Sequence, residues 1–301
     1  MQTLNAAQTA EALPYPALVN ALLQMFERER RGEAHAAPRT SVPLAGGGVL
    51  LLMPAADACF VALKTVTVHA DNPAKGLPVV QGEVTLMDAA TGARLLSMDG
   101  NVLTARRTAA LSLAGAARAG RDADARSMLL LGAGVQARAH AEAFAQLWKV
   151  RTLWVHARTA VHAEELAHHM RTLGVDARAI GDPSDVCGQA DVVVAATNAH
   201  TPVVPPHVRA DALVIAIGAY RADMAEVPPE LVRRSTVYVD TLAGARTEAG
   251  DLIQANVDWS TVQDFAGACA APAGRPVLIK TVGHALWDLA AAQLAHLNRQ
   301  Q

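Results

Sequence analysis

The chain has 301 residues, of which 51% are hydrophobic and 18% charged, ample apolar material for packed cores and far from a disordered composition. Its formal charge of −2 at pH 7 gives no general pull toward nucleic acid or an anionic membrane. Any bound anion must therefore be held by local placement of Arg, Lys or backbone N–H groups, and the expected partners are small molecules. Cys59, Cys187 and Cys269 are odd in number, far apart and without C-x-x-C spacing, so neither a disulfide framework nor a structural zinc site is indicated, and a reducing cytoplasm fits. The N-terminus has acidic Glu11 and two prolines where a signal peptide needs a basic start and an apolar run. No stretch reaches about eighteen consecutive apolar residues, so neither export nor membrane insertion is expected.

Residues 16–33 place Leu18, Leu22, Met25 and Phe26 at helical spacing and then turn charged, which predicts an amphipathic helix. The period then changes. Short runs at 38–43, 49–53, 58–68, 79–87 and 93–98, separated by Gly, Pro and Asp, predict a mainly antiparallel sheet, with 88–92 as a hairpin turn. From Thr104 the pattern is helical and Ala-rich, and the polar segment 119–126 is expected to link two lobes. Beyond it, apolar strands at 127–131, 150–155, 191–196, 213–217 and 236–239 alternate with helical segments such as 135–148 and 160–173, as a parallel sheet covered on both faces requires. The segment 283–299 carries Ala285, Leu286, Leu289, Leu294 and Leu297 broadly on one side and predicts a helix packed back on the first lobe. The fold class is α/β: a Rossmann-type doubly wound parallel sheet over 118–282, and an α+β domain formed by 1–117 with 283–301.

Gly132, Ala133, Gly134, Val135, Gln136 and Ala137 directly follow the strand ending at Leu131 and open a helix. In that context Gly132 permits a tight turn, Gly134 lets the backbone approach a pyrophosphate, and Ala137 lets helix and strand pack closely. The helix N-terminus then faces the phosphates. At the end of the second strand an NAD enzyme usually carries an acidic residue for the ribose 2′-OH; here His156, Ala157, Arg158 and Thr159 follow Val155 instead. Arg158 either pairs with a 2′-phosphate, with Thr159 donating a hydrogen bond, or is a solvated residue after a strand; the motif favours NADP, with NAD as the other cofactor. Thr197 and Asn198, and Gly218 after the next strand, fall at the carboxyl edge of the sheet, where they are either ligand contacts or turn residues. Gly218 is expected where backbone must approach a nicotinamide closely.

Lys64 is the most anomalous residue of the first lobe. Its strand alternation places it on the face shared by Phe60, Ala62, Val66 and Val68, where a charge either snorkels to a sheet edge or meets an anion in a cleft. Arg39 and Arg107 are unremarkable alone and read by default as surface residues. No histidine pair has H-E-x-x-H or comparable spacing, so the histidines read as solvated or capping residues and no metal site is expected.

These residues together resemble the ornithine cyclodeaminase/mu-crystallin family over nearly the whole chain. The resemblance rests on Lys64, then 76–82 (GLPVVQG), Asp88, Thr91, Gly92, 98–100 (MDG), Leu103, Thr104, 107–110 (RTAA), Gly132, Ala133, Gly134 and Gln136. It implies that Arg39, Lys64 and Arg107 converge on the carboxylate of an amino or imino acid, with Met53 lining the pocket. It also implies that Thr108 and the segment 281–283, with Val282 and Gly283, approach the cofactor, and that the first lobe pairs two subunits into a homodimer. Cyclodeaminases of the family carry a glutamate and an aspartate where this chain has Leu51 and Tyr220, so the acceptors that orient a diamino acid are missing. The loop 218–226 instead resembles that of Δ1-pyrroline-2-carboxylate and Δ1-piperideine-2-carboxylate reductases. The expected reaction is therefore NADPH-dependent reduction of a cyclic 2-imino carboxylate to L-proline or L-pipecolate, with Lys64, Tyr220 or water supplying a proton. Ornithine cyclodeamination with bound NAD, and an NADPH-binding role like that of mu-crystallin, are the alternatives.

Overall fold

A computed structural model describes residues 1–121 and 125–300, so residues 122–124 of the segment expected to link two lobes lie outside the described residues. The chain divides into two compact units, Met1–Leu111 with His284–Gln301, and Ser112–Gly283. The division falls after Leu111, inside a continuous helix, so that Ser112–Arg118 go with the second unit.

The first unit begins with β1 (Gln2–Leu4), α1 (Ala6–Glu11) and α2 (Tyr15–Arg30), whose apolar face buries Leu18, Leu22, Met25 and Phe26. There follow β2 (Ala34–Ala36), β3 (Thr40–Pro43), β4 (Val49–Asp57), β5 (Phe60–Val68), β6 (Val80–Asp88) and β7 (Arg94–Asp99). They form one sheet in the order β1-β7-β6-β5-β4-β2, with β3 on β4, antiparallel except for β1 beside β7. The β6–β7 turn closes because the Asp88 carboxylate accepts from the N–H groups of Ala90 and Thr91, with Gly92 at φ 73°. Helix α3 (Gly100–Arg118) starts four residues earlier than the Ala-rich pattern suggests. A Cβ on its first residue, Gly100, would stand 2.5 Å from the Gly82 backbone, so the helix leaves the sheet only through a glycine. Across the sheet, Leu4, Met98, Val84, Lys64 and Met53 are aligned in register and all are buried. The C-terminal helix, Ala285–Asn298, packs against α2, β4, β5 and β6.

The second unit contains β8 (Ser127–Leu131), α4 (Val135–Leu147), β9 (Thr152–His156), α5 (Ala160–Thr172), β10 (Asp176–Ala179), α6 (Ser184–Cys187), β11 (Val192–Ala195) and β12 (Leu213–Ala216). It continues through α7 (Pro229–Arg234), β13 (Thr236–Val239), α8 (Leu242–Glu248), α9 (Gly250–Gln254), β14 (Gln263–Asp264) and β15 (Val277–Lys280). All strands are parallel, in the order β10-β9-β8-β11-β12-β15-β13-β14. Alternate residues such as Leu129, Val193, Val214, Leu278 and Val237 build one core with Leu231, Ala245 and Leu252 of α7–α9. On the other side α4 packs on β8 and β11, and α5 on β9 and β10. Strand order reverses between β8 and β11, which is the switch point where open α/β sheets leave a crevice at their carboxyl ends. The strands β1, β2, β10, β14 and β15 were not expected from the sequence. Among the described residues, no helix is long and apolar enough to cross a membrane.

Candidate active site

At the end of β8 the chain turns through Gly132, whose φ of 112° and N–H bond to His156 O (2.8 Å) close the turn. A Cβ there would lie 2.4 Å from Ala196 O, so both backbone conformation and space demand glycine. Gly134 has a different reason. It is the extended N-cap of α4, no side chain caps that end, and an added Cβ would meet no protein atom within 4 Å. The protein does not itself need a glycine there, whereas a phosphate approaching the uncapped N–H groups of α4 does. Ala137, fully buried, lets α4 approach the sheet.

A crevice of about 640 Å³ opens at this point and is lined by Gly132, Ala133, Gly134, His156, Arg158, Thr159, Thr197 and Asn198, all expected from the sequence. Ala157, His162, Ala196 and Ala199 also line it. Arg158 is exposed, and the Thr159 hydroxyl caps no N–H of α5, so both are available to a ligand at the β9 end. Val135 and Gln136 form the first turn of α4 beside it, Val135 exposed. The glycine turn, the uncapped helix end and the crevice beside them fit a dinucleotide. Gly218, Val282 and Gly283 are not part of this lining, and Thr108 belongs to the first unit, where its hydroxyl donates to Thr104 O at 2.7 Å.

Gly218 also answers to a constraint inside the protein, because its own backbone already requires the glycine. A Cβ on Gly218 would stand 1.9 Å from Thr197 O. The ends of β11 and β12 are drawn together there by buried Glu226, whose carboxylate accepts from Thr197 N (2.6 Å), Thr197 Oγ1 (2.8 Å), Gly218 N (2.6 Å) and Ala219 N (3.2 Å). Burial raises the Glu226 pKa, against the pull of Lys280. Asp251 supports the same corner by accepting from Glu226 N and Val227 N, and pairs at 3.1 Å with the fully buried Lys280. Asp240 does the equivalent for 282–283, accepting from Val282 N and, at 2.7 Å, Gly283 N. Glu226 and Asp240 thus both hold loops at the carboxyl edge of the sheet.

In the first unit Lys64 lies 2.7 Å from Asp288 Oδ2 and Arg107 Nε lies 3.0 Å from Asp288 Oδ1. Lys64 is 3% exposed, Arg107 4% and Asp288 1%. Arg107 is therefore not a surface residue, and Lys64 does not snorkel: each charge is buried because a carboxylate meets it. Burial is the largest influence on Lys64 and lowers its pKa to about 8, with Asp288 pulling it up and the Arg107 and Arg39 charges pushing it down. The Arg39 charge acts on the same ammonium as Arg107. Asp288 is held below the ordinary carboxylate range: burial pushes it up, and Lys64 and Arg107 together outweigh that. Met53, buried, pairs with Lys64 across β4 and β5. Two buried cations thus share one carboxylate, with the Arg39 charge acting on Lys64 as well, an excess suited to an anionic ligand. Asp288 was missed in this role, although a lone carboxylate among buried Leu286, Trp287 and Leu289 is the same kind of anomaly that drew attention to Lys64.

Tyr220 is exposed in the loop after β12, away from the crevice lining. Leu51, on β4, is half-buried opposite Val66. The reading of the histidines as solvated or capping also fails for His140. It is fully buried in α4, its ring satisfied by Ser112 Oγ (2.9 Å) and Gln136 O (2.8 Å), and burial lowers its pKa to about 4. Among the described residues, no group of three or more His, Cys, Asp or Glu is placed to hold a metal ion.

The family model described as the ornithine cyclodeaminase/mu-crystallin family matches residues 2–296. The chain belongs to that family. Both the crevice at Gly132–Gly134 and the cations around Asp288 fall inside the matched span. A Delta(1)-pyrroline-2-carboxylate reductase of Burkholderia multivorans is 41% identical over 298 residues, covering 97% of this chain and 94% of that protein. A Delta(1)-pyrroline-2-carboxylate/Delta(1)-piperideine-2-carboxylate reductase of Azospirillum brasilense is likewise 41% identical, with the same coverage. Among solved structures, the Delta(1)-pyrroline-2-carboxylate reductase of Thermococcus litoralis in complex with NADH and L-proline superposes with a TM-score of 0.91. It is 26% identical and the match covers 100% of this chain and 98% of that one.

Proposed function

We propose that this family member is an oxidoreductase that reduces a cyclic 2-imino carboxylate, Δ1-pyrroline-2-carboxylate or Δ1-piperideine-2-carboxylate, to L-proline or L-pipecolate. The observation that carries the reading is the excess of positive charge: buried Lys64 and Arg107 share the carboxylate of Asp288, and the half-buried Arg39 adds its charge at Lys64. Such a site is short of one anionic group, and the carboxylate of an imino acid supplies it. The 41% identity to two reductases of this substrate class supports the same conclusion.

When bound, a reduced nicotinamide dinucleotide supplies the hydride. The chain's part is to bind the substrate carboxylate through Arg39, Lys64 and Arg107, so that C2 has one orientation, and to deliver one proton to the imine nitrogen. Lys64 suits that task, because a donor that titrates near about pH 8 is charged at neutral pH and gives up its proton at little cost. The C=N bond gains hydride at carbon and a proton at nitrogen, and Lys64 is reprotonated from solvent. Tyr220 and water are the competing donors, and Tyr220→Phe with unchanged turnover removes the phenol from the reaction. Arg158 and Thr159, with no carboxylate at the β9 end, support NADPH over NADH.

The sheet face opposite Lys64 carries half-exposed Leu50, Leu52, Val61 and Leu63. In this reading it pairs two copies of the chain into a homodimer, which light scattering tests. Cytoplasmic location fits the three free cysteines.

The deciding experiment follows nicotinamide absorbance with NADPH and NADH against both cyclic ketimines, with L-ornithine alongside. Steady oxidation on a cyclic ketimine is the expected result. Ammonia release from ornithine without net nicotinamide change would instead make the chain a cyclodeaminase, and negligible turnover on every imine would leave a binding protein.

A further inference from the structure

The mechanism above uses the three cations and leaves Asp288 without a task. Its place argues against a merely structural one. On the covered face of the sheet Lys64 stands in a row with Leu4, Met98, Val84 and Met53, none of which offers it a charge or a hydrogen bond. Elements packed against the C-terminal helix bring other charged groups, but those are committed elsewhere: Arg28 of α2 to Asp57 of β4 and Gln293, and Glu83 of β6 to Ser97. The charges that act on the Lys64 ammonium are Asp288, Arg107 and Arg39, and Asp288 is the carboxylate among them. Its two oxygens are divided, Oδ2 to Lys64 and Oδ1 to Arg107.

Ketimine reduction puts an unusual demand on such a site. The substrate brings one negative charge, in its carboxylate, and must become positive at the adjacent nitrogen when it accepts a proton. Three cations bind the carboxylate well and oppose the iminium. A buried carboxylate beside the ammonium offsets one cation and leaves the others in place.

We propose that Asp288 is a positioning residue for proton delivery: it holds Lys64 and Arg107 in one arrangement and supplies the counter-charge that lets the substrate nitrogen become cationic. The inference rests on the ketimine reductase reading. It predicts that the charge of Asp288 works against carboxylate binding and in favour of turnover, which a residue needed only for folding does not do. Burial and the Arg107 and Arg39 charges lower the Lys64 pKa, and Asp288 is the group that opposes them.

The test is Asp288→Asn with two readouts. The first is the Kd for pyrrole-2-carboxylate, a planar monoanion with no imine to protonate, measured by calorimetry at about pH 6, below the wild-type Lys64 value of about 8. The second is kcat with Δ1-pyrroline-2-carboxylate and NADPH across pH. The expected result is a split: the analogue binds about threefold to tenfold more tightly, kcat falls roughly hundredfold, and the alkaline limb of the rate moves to lower pH. Loss of analogue binding together with turnover, or an unmoved limb, overturns the proposal. Should the variant not fold, Asp288→Glu replaces it; there the limb stays and kcat falls about tenfold, because the charge remains and its position shifts. Unchanged turnover in Asp288→Glu, or a shifted limb, overturns it equally. If wild-type protein reduces neither ketimine the function reading fails, and that result is separate from the comparison of analogue binding.

Discussion

Lys64 and Asp288 come from opposite ends of the chain and meet at 2.7 Å inside a row of apolar side chains. Because burial lowers the Lys64 pKa to about 8, the ammonium is charged at neutral pH and is lost as pH rises through that value. Catalytic efficiency is therefore expected to be level below about pH 7 and to fall through about pH 8. In Lys64→Arg, whose guanidinium stays charged, the alkaline limb should vanish while the rate drops. A limb that survives in Lys64→Arg assigns it to another group.

Arg107 reaches the same carboxylate through Nε and, at 4% exposure, has no solvent to replace it. If its remaining N–H groups grip the substrate, Arg107→Leu loses roughly 1.5–3 kcal/mol of charged hydrogen bond, upward of about tenfold in kcat/KM. The measurement is steady-state kinetics on a variant checked for cooperative melting, and an unchanged kcat/KM removes Arg107 from the substrate.

The glycines separate by what a methyl group would meet. Gly134→Ala finds open space, so melting is expected to shift by no more than about 0.5 kcal/mol while dinucleotide affinity drops about tenfold or more. Gly218→Ala drives a Cβ into Thr197 O and should cost at least about 2 kcal/mol in stability. Denaturant melts and cofactor titration of the pair check both, and a Gly134→Ala protein that binds NADPH normally rules out a phosphate at that turn.

Arg158 decides the nucleotide if it pairs with a 2′-phosphate. Arg158→Gln should raise the KM for NADPH about tenfold or more and leave that for NADH nearly unchanged, as expected for loss of a charge-assisted bond that only one cofactor makes. Equal effects on both cofactors would make Arg158 a general contributor.

His140 predicts an acid weakness in the second unit. Its folded pKa, about 4, lies below the ordinary 6.5, so the unfolded chain binds the extra proton first. Stability from this residue is complete above about pH 6.5 and is lost as pH falls toward about 4, by on the order of 3 kcal/mol. Urea midpoints of wild type and His140→Gln between those pH values test it: the wild type should lose more.

Much of this was legible in the chain. The apolar alternation at 127–131, 191–196 and 213–217 and the spacing of Gly132, Gly134 and Ala137 are local patterns, and they place the dinucleotide crevice where strand order reverses. Lys64 announced itself as a charge on a core face. The packing demand on Gly218 was not legible, since it comes from the end of another strand, and β15 went unread although Val277, Leu278 and Ile279 are as apolar as the strands that were expected.

The sequence by itself determined the α/β class, the glycine turn after β8 and which cation was out of place, because each depends on neighbours within a few residues. Only the tertiary structure decided that Asp288 is the partner of Lys64 and Arg107, that Glu226 ties the ends of β11 and β12 together, and that β15 lies between β12 and β13. The reason is physical: a buried charge is tolerable only beside its counter-charge, and the pattern around either one does not say which distant segment brings the other.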